Sequence, residues 1–132
     1  MIVVAIIGIL AAIAIPLYSS LQSRARIAKA QADVRTMGSA TSTYAAHTGS
    51  IPSSAANFSA GLTTSTTVGG VAAGPFLGAI PAAPAGGTPA WAAYSYSPGV
   101  APGGAAVAGA FVVCSSGDSA FANSGGISTS CP

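Results

Sequence analysis

The chain opens with fifteen residues, Met1 to Ile15, that carry no charged or polar side chain. A helix apolar on every side belongs in a bilayer or a tight bundle, because it has no face to give to water. Pro16-Leu17-Tyr18 follows, and then the pattern changes. From Leu17 to about His47, Ala30, Val34, Met37, Thr41 and Tyr44 recur at spacings of four, three, four and three. That is one stripe of an amphipathic helix. Gly49 is its expected stop and Pro52 reinforces it. A helix continuous from Met1 is roughly 70 Å long at about 1.5 Å per residue. The downstream residues are too few to cover such a rod, so its first half must find lipid or copies of itself.

Residues 49–90 are rich in Ser, Thr, Ala, Gly and Pro and read as a connecting loop. The same composition also suits a disordered linker. Phe76, Leu77 and Ile80 are its expected plugs against the helix or sheet. The last third alternates again. Trp91 to Ser97, Val107 to Cys114 and, more weakly, Ser119 to Ala122 read as three short antiparallel strands. The expected fold class is α+β: a long N-terminal helix whose hydrophobic half protrudes and whose amphipathic half packs on a small antiparallel sheet. The expected segments are 1–18 (hydrophobic helix), 19–48 (amphipathic helix), 49–90 (loop) and 91–132 (sheet and disulfide loop).

Three readings compete for the first segment. Fifteen apolar residues match a signal-peptide core, but no basic stretch precedes them and a long helical pattern follows. A buried core helix needs more chain around it than is present. A membrane helix needs about 20 residues to span hydrocarbon, so its first turns would precede Met1; this is the favoured reading. Gly8 and Pro16 are its helix-weakening positions, and a kink and a local unwinding remain equally open there.

Composition sharpens the picture. Hydrophobic residues make up 51% of the chain and charged ones 5%, against about 25% charged in ordinary domains. Large anchors are few: Ile27, Val34, Met37, Tyr44, Phe58, Phe76, Leu77, Ile80, Trp91, Tyr94, Tyr96, Phe111, Val112 and Val113. They support a thin core over one helix face. A surface this poor in charge has little self-repulsion and favours association. Arg24, Arg26, Lys29 and Arg35 lie close together with Asp33, and Asp118 is the only later charge. The cluster reads as a solvated or inter-subunit face paired through Asp33, as a contact to anionic headgroups, or as a poor nucleic-acid footprint. No specific nucleic-acid partner is expected.

Candidate chemistry is sparse. One His, two acids and no nucleophile with an evident base argue against catalysis, and no phosphate loop or dinucleotide fingerprint is present. No catalytic, cofactor or metal residues are expected. Cys114 and Cys131 read as one disulfide in an exported domain, worth roughly 3 kcal/mol in the chain-entropy model; the alternative is two reduced, buried thiols in a cytosolic protein. Asp118 beside Ser119 reads as a turn residue. Asn57-Phe58-Ser59 is a formal glycosylation sequon, and the Ser/Thr-rich loop is an equal candidate for glycans.

The run MIVVAIIGILAAIAIPLYSSLQSRARIAKAQADVR resembles the N-terminal helix of type IV pilins and of the pseudopilins of type II secretion, over roughly residues 1–50. In that family a short basic leader, a cleavage site and a Phe-Thr-Leu-Ile-Glu-Leu-like stretch come first. The resemblance implies that this sequence starts just after them, so the N-methylated first residue and the buried glutamate of the family have no counterpart in it. It implies a type IV pilin-like fold and a structural subunit of an extracellular helical filament, of the kind used in adhesion, motility or secretion. Such subunits wait in the bacterial inner membrane, meet a prepilin peptidase and assembly machinery, and polymerise with identical copies. Carried onto this chain, the assembly residues are Ile2, Val3, Ile6, Ile7, Gly8, Ile9, Leu10, Ile13, Ile15 and Pro16. Many pilins carry a C-terminal disulfide loop where Cys114 and Cys131 lie. The major pseudopilins carry an acidic calcium loop near the C-terminus, for which Asp118 and Asn123 are too few oxygen ligands. A secretion pseudopilin is the alternative, and a membrane-anchored periplasmic binding module a more distant one.

Overall fold

The structure is a computed structural model that describes residues 1–102, 104–125 and 131. It has the expected α+β layout, a long N-terminal helix and a small antiparallel sheet. Helix α1 spans Ile2–Thr48, 47 residues, and stays helical through Gly8 and Pro16. The hydrogen bond that Pro16 cannot donate is therefore absorbed without ending the helix. Gly49 closes it in the left-handed conformation, φ 79°, with its N–H donating to the Ala45 carbonyl at 2.8 Å. Glycine takes that conformation at little steric cost.

The stripe read from the sequence is the buried one. Ala30, Val34, Met37 and Thr41 are fully buried, and Tyr44 packs partly buried beside them. The Thr41 hydroxyl is satisfied by donating to the Met37 carbonyl at 2.7 Å. Gly38 shares the buried face, where a Cβ would sit 3.0 Å from the Ser124 Cβ. Its lack of a side chain lets the end of the sheet close onto the helix.

The stretch expected as a connecting loop contains three short elements. Helix α2 spans Ala55–Thr63, and its N-cap Ser54 accepts from the Asn57 N–H, the usual role of a serine at that position. Phe58 and Leu62, four apart, are its buried residues. Strands β1 (Thr66–Val68) and β2 (Val71–Ala73) then form a hairpin. Gly69 and Gly70 both have positive φ, as a tight two-residue hairpin turn demands. The chain next folds back on α2, since the Phe76 and Leu77 N–H groups both donate to the Leu62 carbonyl at 2.9 Å. Phe76, Leu77 and Ile80 pack against the core as expected.

The second sheet is an antiparallel meander of β3 (Ser95–Val100), β4 (Ala106–Gly117) and β5 (Ala120–Asn123), in that order. Strand β3 begins later than its aromatic alternation suggests. A turn at 87–90 precedes irregular residues 91–94, with Trp91 in the core and the Ala92 N–H donating to the Ser116 carbonyl near the end of β4 at 2.9 Å. Strand β3 also runs past the expected stop at Pro98-Gly99, through a register irregularity between Pro98 and Val100. Tyr96 stacks on Phe58 with ring centroids 4.4 Å apart, and its hydroxyl donates to the Pro52 carbonyl at 2.8 Å. Sheet, α2 and α1 thus share one core. Cys114 and Cys131 form the disulfide, with Cα atoms 5.7 Å apart and a sequence separation of 17. The distal part of the expected disulfide loop, 126–130, lies outside the described residues.

Two stability changes follow. Leu62→Ala removes the fully buried link between α2 and the rest of the core and should cost about 3 kcal/mol, read as a lower midpoint in denaturant titrations followed by Trp91 fluorescence. Replacing Cys114 and Cys131 together by Ser should cost roughly 3 kcal/mol in the same assay. An unchanged midpoint would contradict the loop's contribution.

Candidate functional site

Every residue from Met1 to Gln22 is exposed. The ten assembly candidates all lie on this stem and are exposed, with no other part of the chain covering them among the described residues. Ile2, Val3, Ile6, Ile7, Ile9, Leu10, Ile13 and Ile15 are between 52% and 78% exposed. Gly8 has open space where a Cβ would stand. Removing such a side chain from water is worth roughly 1.5–3 kcal/mol. Those eight together represent a driving force comparable to the ~5–15 kcal/mol net stability of a whole domain.

The stem also extends further than composition suggests. Ser19 donates its hydroxyl to the Pro16 carbonyl at 2.9 Å, and Ser20 donates to the Leu17 carbonyl at 2.8 Å. Both polar groups are therefore served by the helix itself, as in membrane-spanning helices. Apart from the Tyr18 hydroxyl, the stretch whose polar side chains are served by the helix itself reaches Leu21 rather than Ile15. From Ile2 it is about 30 Å long at 1.5 Å per residue, equal to the hydrocarbon thickness of a bilayer. The helix is long and apolar enough to cross a membrane, and its unbroken exposure runs to Gln22.

The head begins at Ser23, and a charge clamp secures it three residues later. Arg26 donates from Nε to Asp118 Oδ2 at 2.6 Å and from Nη2 to Oδ1 at 2.9 Å, the two-pronged geometry that suits guanidinium and carboxylate. The Asp118 side chain is only 6% exposed. It also accepts from Trp91 Nε1 at 3.0 Å and the Thr88 N–H at 3.2 Å. Asp118 and Ser119 form the turn between β4 and β5, both at positive φ (49° and 57°), so Asp118 is the turn residue expected and the clamp's acceptor besides. Two glycines make room. A Cβ on Gly117 would lie 2.5 Å from the Trp91 ring, and one on Gly87 would lie 2.9 Å from the Asp118 carboxylate. The hydrogen bonds from Arg26 hold the Asp118 carboxyl well below the usual carboxylate range against the opposing effect of burial, with Trp91 and Thr88 assisting. The same pairing raises Arg26 further.

One turn on, Lys29 donates to Asp33 Oδ2 at 2.7 Å and to the Ala82 carbonyl at 2.7 Å. The Tyr94 hydroxyl donates to the same Asp33 oxygen at 2.7 Å. Burial, and then this hydrogen bond to Asp33, push the Tyr94 phenol well above its ordinary value. Burial likewise pushes Tyr96 up to about 12. Asp33 thus pairs within its own chain, where the sequence also allowed a pair between subunits. Arg24 and Arg35 are exposed, and neither makes a side-chain hydrogen bond or ion pair among the described residues.

Other chemistry is thin. Among the described residues, no three His, Cys, Asp or Glu side chains gather as metal ligands would. His47 sits at the end of α1 with its ring 6.3 Å from Phe76 and its Nε2 buried without a partner among the described residues. Asn57 of the sequon lies in the first turn of α2, its amide donating to Ser53 Oγ at 2.9 Å. Sequence reasoning named the stem but missed the clamp. The signal that points to it is scarcity: with two carboxylates for four cations, each acid in a charge-poor chain is a strong candidate for a structural pair.

The clamp sets a pH dependence. An unfolded Asp titrates near 3.9, and folded Asp118 titrates lower. Its stabilisation is therefore complete above that range and lost as pH falls from about 4 through the folded value. Tyr94 and Tyr96 act oppositely, and their contribution is lost as pH rises above about 10. Asp118→Asn should lower thermal stability at pH 7 and flatten the acid limb of the stability profile. A variant with an unchanged acid limb would remove Asp118 from the clamp.

No protein-family model matches the chain, no curated protein is significantly similar to it, and no solved structure matches it.

Proposed function

We propose that this chain is a structural subunit of a type IV pilus-like extracellular filament. The observation that carries the proposal is the uniformly exposed apolar stem, Met1 to Gln22, continuous with the buried-face helix of the head. Before assembly the stem stands in the bacterial inner membrane. During assembly it leaves lipid for a helical bundle of identical stems, so that packing against copies replaces packing against acyl chains. The heads form the outer wall, and their scarcity of charge permits dense contact. The N-terminal run quoted above resembles the pilin helix, and the head's disulfide and small meander suit the same plan. Prepilin peptidase, the assembly machinery and surface glycans on Ser or Thr are partners implied by that resemblance. The subunit does no catalysis in this reading.

The secretion-piston alternative relies on a calcium loop near the C-terminus. Here Asp118 is occupied by Arg26, Trp91 and Thr88, which favours the pilus over the piston.

An Ile9→Asp substitution tests the proposal. A carboxylate near the middle of a membrane-embedded helix costs about 3 kcal/mol, and an apolar bundle accepts it no better. Electron microscopy of sheared cells should show filaments for the wild type and none for the variant, while the head keeps its native Trp91 fluorescence. Normal filament yield from Ile9→Asp sinks the mechanism.

A further inference from the structure

We propose that Arg24 binds the phosphate of an anionic phospholipid headgroup where the stem leaves the membrane. The proposal rests on the membrane stage of the reading above. Apart from the Tyr18 hydroxyl, the stem's side chains ask nothing of water as far as Leu21, because Ser19 and Ser20 spend their hydroxyls on helix carbonyls. Tyr18 is 65% exposed and lies about one turn inside that end, where amphipathic rings settle at the interface. Arg24 is the first charge beyond it, about 4.5 Å along the axis at 1.5 Å per residue. The headgroup layer is roughly 5–7 Å deep on each side of the hydrocarbon, so Arg24 falls within it.

The other three cations do not compete for this role. Arg26 is held by Asp118 and Lys29 by Asp33 and the Ala82 carbonyl. Arg35 is exposed, but it stands about 21 Å beyond Leu21 at the same rise, past the headgroups. Nor does the sequence offer Arg24 an unengaged acid, since Asp33 and Asp118 are its only carboxylate side chains and both are paired. A guanidinium with five donors and no carboxylate matches a phosphodiester through two parallel hydrogen bonds. Its long stem lets the charge stay at headgroup level while the helix remains upright.

The test is native mass spectrometry of the full chain released from nanodiscs of mixed phosphatidylcholine and phosphatidylglycerol. The wild type should retain phosphatidylglycerol in preference to phosphatidylcholine. Arg24→Gln should lower that preference about fivefold, the factor corresponding to roughly 1 kcal/mol per surface arginine. Arg24→Lys should keep part of it, and Arg35→Gln should keep all of it. Equal preference in wild type and Arg24→Gln, or an equal loss in Arg35→Gln, overturns the assignment. So does displacement of the lipid by inorganic phosphate, which would make the site one for the free ion. Alkaline extraction separates the two levels. A chain that washes out of the membrane overturns the membrane reading itself, whereas an embedded chain without lipid preference overturns only the role of Arg24.

Discussion

Helix α1 has to satisfy two different solvents along one unbroken axis. From Ser23 onward its apolar stripe is covered by the sheet and by α2. Before that residue nothing among the described residues covers it, and the large aliphatic side chains from Ile2 to Leu21 are all exposed. Hydrophobic surface of that extent has to be removed from water by something outside the chain. The two Ser hydroxyls turned back onto the helix, the absence of charge before Arg24 and the length of about 30 Å all serve that requirement.

The exposed and the buried parts of the helix meet just before the point where the head is fastened to it. The Arg26–Asp118 clamp makes that fastening with a carboxylate ninety-two positions away. Gly87 and Gly117 permit the close approach of the 87–91 loop and the β4–β5 turn, and Trp91 closes the site. Charge is scarce in this chain and is concentrated where geometry must be fixed. That economy leaves the rest of the head poor in charge.

Much of this was legible in the sequence. The spacing of Ala30, Val34, Met37, Thr41 and Tyr44 marked the buried face because a helix held on one side must repeat every 3.6 residues. Gly49 marked the helix end, and the three strand segments were placed within a few residues. Helix α2 and the β1–β2 hairpin were hidden by their composition: Ser, Ala, Thr and Gly read as loop when weighed together. Ser54 as a cap, Phe58 and Leu62 at helical spacing, and the Gly69-Gly70 pair between short β-prone runs were the local signals. The reach of the stem to Leu21 and the pairing of Arg26 with Asp118 depend on where side chains turn in three dimensions, which periodicity does not encode.

The filament account is tested most directly by electron microscopy of material sheared from native cells, with mass spectrometry of the filament protein. The account predicts long, thin helical filaments whose peptides map to this chain, with the stem protected from protease in the intact polymer. Filaments built of another protein, with this chain left monomeric in the membrane fraction, would contradict it.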